Sequence, residues 1–129
     1  MKKYFYIASV LFLFACTNEG GPVKVGEKTT LEVNETFDAG TIVKGEEIKA
    51  VFVVKNTGDH PLVFGEVRPS CSCTLASKPE KPIAPGKSAK IVAKVNTANA
   101  HSKSIVKSVT ILTNTEPSTH VLMIKAKIK

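Results

Sequence analysis

From Leu31 onward, apolar and polar residues alternate with a period of two, and no long stretch repeats at helical spacing. In residues 48–56, Ile48, Ala50, Phe52 and Val54 fall on one face. In residues 89–95, Ala89, Ile91, Ala93 and Val95 point one way while Lys90 and Lys94 point the other. Near the end of the chain, Leu122, Ile124, Ala126 and Ile128 alternate with Met123, Lys125, Lys127 and Lys129. Successive side chains of a strand point to opposite faces, so this pattern predicts antiparallel sheets with one buried and one wet face. The outward lysines also discourage pairing between exposed sheet edges.

Turn-forming clusters separate these runs: Asp38-Ala39-Gly40, Lys44-Gly45-Glu46, Asn56-Thr57-Gly58-Asp59, Ala84-Pro85-Gly86 and residues 114–118. Proline fixes φ and glycine accepts positive φ, so each can reverse the chain. Within the Asn56 cluster, Asn56 is expected to cap the backbone and Gly58 to take positive φ. About seven strands result, at 31–37, 48–56, 62–68, 73–77, 88–96, 105–113 and 120–128. Seven short strands at this spacing predict an all-β protein, an immunoglobulin-like antiparallel β-sandwich. The Cys…Trp…Cys core of antibody domains is absent, since the chain has no Trp.

The first residues do not fit the sandwich. Lys2 and Lys3 precede an apolar run from Tyr4 to Phe14, and Ala15 and Cys16 follow. Eleven residues are too few to cross a bilayer as a helix, which takes about 20. A charged start, a short apolar core and a small residue at its end describe a secretory signal peptide. Leu13-Phe14-Ala15-Cys16 resembles the lipobox of bacterial lipoproteins, in which the Cys becomes the acylated first residue of the mature chain. The expected organisation is a signal peptide at 1–15, a polar, Gly-rich tether at 16–30 and the sandwich at 31–129. Cys16 is the candidate lipidation site. It would hold the protein on a membrane of the cell envelope, facing the periplasm or the exterior.

Charge narrows the partners. Seventeen of the 18 cationic residues are Lys, spread along the chain, and Arg68 is the one Arg. Without Lys2 and Lys3, 16 basic residues stand against 11 acidic ones, a net charge of +5. Nucleic-acid readers cluster Arg among aromatics, so no nucleic-acid partner is expected. The excess reads as a solvated surface attracted to anionic envelope components.

Spaced motifs then carry a resemblance. They are Phe37-Asp38-Ala39-Gly40-Thr41-Ile42, Gly45-Glu46, residues 51–58 (VFVVKNTG), residues 61–64 (PLVF), Ser70-Cys71-Ser72-Cys73-Thr74, residues 82–86 (PIAPG) and residues 109–114 (VTILTN). Together they resemble a family of bacterial exported lipoproteins, the domain of unknown function fifteen-seventy-three, over about residues 32–129. The resemblance implies a Hydin-type immunoglobulin-like sandwich and no established biochemical activity. Where the family reads C-G-C, this chain has Cys71-Ser72-Cys73.

That pair is the candidate for chemistry. On extended backbone both thiols share one face, with Ser72 opposite. Three states compete: a disulfide across one residue, two reduced thiols packed as small hydrophobes, or ligands for a soft metal with His60 or His101; a strained disulfide at the end of a strand is the expected one. Arg68 and Lys78 would depress a thiol pKa if the fold brought them close. No metal site or cofactor is predicted. Met123 is the sole Met past the signal segment, and His60, His101 and His120 stand alone in polar surroundings and read as solvated. Glu46 and Glu47 are adjacent, which on a strand turns them to opposite sides. No G-x-S-x-G elbow, glycine-rich phosphate loop or H-E-x-x-H pattern occurs. The sequence therefore predicts a non-enzymatic cell-envelope lipoprotein whose immunoglobulin-like module binds an envelope protein. The alternative is a thiol-disulfide or soft-metal-handling protein built on Cys71 and Cys73.

Overall fold

The computed structural model describes residues 27–129. The predicted signal peptide, Cys16 and most of the predicted tether lie outside the described residues. Eight strands form: β1 (Leu31–Val33), β2 (Thr36–Ile42), β3 (Glu47–Asn56), β4 (Phe64–Pro69), β5 (Thr74–Ser77), β6 (Ser88–Asn96), β7 (Ser104–Thr113) and β8 (Thr119–Ile128). They make two four-stranded sheets, ordered β1-β3-β6-β5 and β2-β8-β7-β4. The all-β immunoglobulin-like sandwich is thus as expected, with two refinements at its start.

First, the predicted strand 31–37 is two strands in different sheets. The Asn34 side chain accepts a hydrogen bond from the Thr36 amide (3.2 Å), and the chain crosses from one layer to the other at that local turn. Leu31 and Val33 remain half-buried before the crossing and Phe37 and Ala39 after it. Inward parity is therefore unbroken, and the alternation gives no sign of the switch. β2 then pairs with β8 in parallel, while every other strand pair is antiparallel.

Second, Asp38-Ala39-Gly40 is a bulge inside β2 and not a turn. The register with β8 slips between Asp38 and Thr41. Gly40 takes φ 69°, and its amide donates to the Asp38 carboxylate at 2.8 Å. The extra residue moves the inward position to Ile42 and bends an exposed edge.

The core lies between the layers. Ile48, Ala50, Phe52, Val54, Ile91, Ala93 and Val95 of the first sheet meet Ile105, Val109, Ile111, Leu122, Ile124 and Ala126 of the second, all buried. The Phe37 and Phe52 rings meet edge to face with centroids 6.3 Å apart. Leu62 and Ile83, on two loops, exchange a pair of 2.9 Å backbone hydrogen bonds and plug one end.

That end, or pole, is tied by two asparagines. Asn56 is fully buried. Its amide nitrogen donates to the His60 and Ile83 carbonyls (2.7 and 2.8 Å), and its oxygen accepts from Thr29 Oγ1 and the Gly58 amide (2.8 and 3.1 Å). Asn114 donates to the Glu27 and Pro61 carbonyls (both 2.9 Å) and accepts from the Val63 amide (2.7 Å). Residues 27–30, expected in the tether, are therefore held by the domain. Gly58 does not take the positive φ expected of it. It is glycine because a Cβ there would lie 2.1 Å from Thr29 Oγ1 and 2.7 Å from the Thr30 amide. Gly86 does take positive φ (76°), with the Lys87 amide bonded to the Ala84 carbonyl at 3.0 Å, as a type II turn demands.

Candidate functional site

Residues 70–73 carry the chain from β4 in the second sheet to β5 in the first. Ser70 anchors the entry: its amide donates to the Ser108 carbonyl (2.8 Å) and its hydroxyl accepts from the Ser108 amide (3.0 Å). The exit is held by the Asn96 amide on the Cys73 carbonyl (2.9 Å). Between them the Thr74 amide donates to the Cys71 carbonyl (3.2 Å), closing a turn. Cys71 and Cys73 are therefore on a turn and not on a strand's end. Their sulfurs are bonded to each other, with Cα atoms 5.2 Å apart. The buried Thr74 hydroxyl lies 3.5 Å from Cys71 Sγ and 3.8 Å from Cys73 Sγ.

Arg68 and Lys78, the two cations that would act on the pair if brought close, are engaged elsewhere. Arg68 forms an exposed ion pair with Glu66 (2.6 Å). That hydrogen bond holds the Glu66 carboxyl below its ordinary range and pushes the Arg68 guanidinium up. Lys78 donates to the Phe64 and Gly65 carbonyls. The cation that does share a cleft with Cys73 is Lys107. It stands opposite Ile124 in the β7–β8 register, on the parity of Ile105, Val109 and Ile111, and so belongs to the inner face. That parity is readable in the sequence, where Lys107 interrupts an otherwise apolar inward face.

The three histidines do not converge. His60 bonds Glu27 (2.7 Å) at the asparagine-tied pole. His101 is exposed and lines the Lys107 cleft at the opposite pole. His120 is not the solvated residue expected, with 13% of its side chain exposed. It bonds Thr115 Oγ1 at 2.9 Å and lies 3.6 Å from Glu35. Like Lys107, it occupies an inward position, two residues before buried Leu122. Among the described residues, no three His, Cys, Asp or Glu side chains form a metal-binding group. Glu46 accepts from the Val43 amide (2.9 Å) and Glu47 pairs with Lys94 (3.7 Å), so the two carboxylates serve separate contacts.

The sheet edges differ in how well they are protected. β1 has three residues, and β2 is bent by its bulge. β4 carries a register shift, Glu66, Arg68 and Pro69, and its first carbonyls are covered by Lys78. β5 has no charge and no proline, and Leu75 on its outer side is 73% exposed. The register places Leu75 beside Lys94, and Val51 and Val92 face each other on the same outer surface. Val53, 53% exposed, continues the apolar strip, and Lys49, Lys55, Lys90 and Lys94 flank it.

Comparison with known proteins agrees with this architecture. A protein of unknown function from Porphyromonas gingivalis W83 superposes with a TM-score of 0.69 at 22% identity, covering 82% of this chain and 50% of its own. The present chain thus spans half of that relative's length. The ASH/PapD-like domain 7 of human CEP192 gives a TM-score of 0.61 at 11% identity over 84% of this chain and 92% of that domain. The secreted serine protease VesC of Vibrio cholerae gives 0.59 at 12% identity over 80% of this chain and 24% of the protease. At such identities the likeness is one of fold. No curated protein matches the sequence. Residues 29–128 match the family described as protein of unknown function (DUF1573), beginning at the Thr29 that Asn56 holds. The chain belongs to the DUF1573 family.

Proposed function

We propose that the protein is a non-enzymatic, lipid-anchored module of the cell envelope that binds a protein partner along the open edge of β5. The observation that carries this reading is the unprotected edge with exposed Leu75, set in an apolar strip flanked by four lysines. An extended segment adding there would find unpaired backbone groups for main-chain hydrogen bonds. Its side chains would meet Leu75 on one side and lysine ammonium groups around it, which favours alternating apolar and acidic residues. Lys2, Lys3, the apolar run and Leu13-Phe14-Ala15-Cys16 support export and acylation at Cys16. Glu46, Glu47, His60 and His120 are each spent on a separate structural contact, which supports a binding role over a catalytic one.

Photo-crosslinking in cells tests the reading. A benzoylphenylalanine at Leu75 is expected to capture a defined neighbour. The same probe at Val121, exposed on the outer face of the other sheet, is expected to capture none. Equal or absent capture at both positions overturns the edge assignment. Intact mass of the native protein reads acylation separately, and an unmodified Cys16 overturns the anchor alone.

A further inference from the structure

We infer that the cleft beneath the Cys71–Cys73 loop is a binding site for a carboxylate, with Lys107 as its countercharge. The site is separate from the β5 edge and does not depend on that edge having a partner.

The cleft measures about 300 Å³ and is lined by Cys73, Asn96, Asn99, His101, Ser102 and Lys107, with Ile105 among its apolar contacts. This is the lower end of the range for small-molecule sites, which are mostly apolar pockets with a few converging polar groups. Three observations give it a sign. Lys107 is on the inward register of β7, directly opposite Ile124, where apolar residues hold the neighbouring inward positions. An inward lysine is ordinarily found paired. Among the described residues, no carboxylate comes within salt-bridge distance of Lys107, and none lines the cleft. The lining also holds spare donors. Asn96, on the outward parity of β6, is exposed; its side-chain oxygen accepts from the Ala98 amide (2.9 Å), and its NH₂ stays free at the solvent side of the lining. Ser102 Oγ accepts from the Ser104 amide (3.3 Å) and keeps its hydroxyl proton free to donate.

One cation with amide and hydroxyl donors suits a monoanion. A carboxylate accepts several hydrogen bonds through two oxygens and matches a single ammonium in charge. The apolar wall of Ile105 and Cys73 would take a short aliphatic portion. Two sources offer this chemistry, a free small carboxylic acid and the C-terminus of a peptide.

The test titrates the ¹⁵N-labelled full chain with three probes: acetate, acetyl-Ala-Ala with a free carboxylate, and the same dipeptide as its amide. The expected result is saturable shifts of the Asn96, Asn99 and Lys107 backbone amides with the free-acid dipeptide and none with its amide. Acetate binding as tightly identifies a free acid as the ligand, whereas a clear preference for the dipeptide identifies a peptide end. Lys107→Met is expected to weaken binding at least tenfold, as loss of a charged hydrogen bond does, and Lys107→Arg to retain most of it. Asn99→Ala, on an exposed loop, provides a second variant that leaves the strands untouched. Indistinguishable acid and amide dipeptides, shifts scattered over surface lysines, or undiminished binding by both Lys107→Met and Asn99→Ala would each overturn the site.

Discussion

The two poles of the sandwich handle polar groups in opposite ways. At the pole tied by Asn56 and Asn114, both side-chain amides are bonded through oxygen and nitrogen, and they lash residues 27–30 to three loops. At the other pole, Thr97 closes the β2–β3 turn. Its hydroxyl accepts from the Gly45 amide (2.9 Å) and donates to the Glu46 carbonyl (2.7 Å). Beside that latch, the cleft under the disulfide loop holds unspent donors and an inward lysine. Saturated polar groups define one chain path and leave nothing for a ligand. Unsaturated ones on a rigid frame are what binding requires.

The largest effect should come from breaking the saturated pole. Asn56→Ala leaves the Ile83 and His60 carbonyls and the Gly58 amide without their side-chain partner in a buried setting. A loss of about 3 kcal/mol is expected, near the top of the ordinary range for one substitution. Denaturant unfolding measures it. A loss below about 1 kcal/mol would mean that water replaces the network, and the contrast between poles would fail. Gly58→Ala should follow at about 2 kcal/mol, because the methyl meets the Thr30 backbone and not merely a side chain that can rotate away.

The latch of the second pole should matter less. Thr97→Val keeps the shape but removes two hydrogen bonds from a buried side chain, for an expected cost of about 1–2 kcal/mol. Removing the disulfide with Cys71→Ser and Cys73→Ser should cost about 1–2 kcal/mol, since so short a closed loop restricts the unfolded chain little. Ser70, Thr74 and Asn96 still hold both ends of the turn through backbone bonds. Thermal unfolding with and without reductant reads the same quantity in the native chain.

How these features appear in the sequence differs for a physical reason. Alternation reports burial on one face, and the strand runs from Ile48 onward are legible because their inward residues are apolar. Alternation is blind to which sheet a strand joins. The break at Asn34 preserved parity from Val33 to Phe37, so two strands read as one. Asp38-Ala39-Gly40 has the chemistry of a turn and of a bulge alike, since both need positive φ at glycine. Gly58 followed a different rule, close approach of Thr29 and Thr30, which no local pattern announces. Lys107 and His120 lie on inward parity, where their own polarity masks their position. A polar residue interrupting an apolar face is the signal that would have found both.

The smallest expected change in stability is also the sharpest test of the contrast. If Lys107 were part of the scaffold, replacing it should destabilise the fold, as with Asn56. If its ammonium is held in the cleft for a ligand, the free protein has no partner of that charge to lose among the described residues. Lys107→Met removes that charge while keeping a long apolar stem against Ile105 and Ile124, so stability should stay level or rise by up to about 1 kcal/mol. Equilibrium unfolding of the two proteins, compared under identical conditions, decides the sign. A loss of more than about 1 kcal/mol would return Lys107 to the structural residues. Level or higher stability in a protein that no longer binds the carboxylate would mark Lys107 as held for binding and not for the fold.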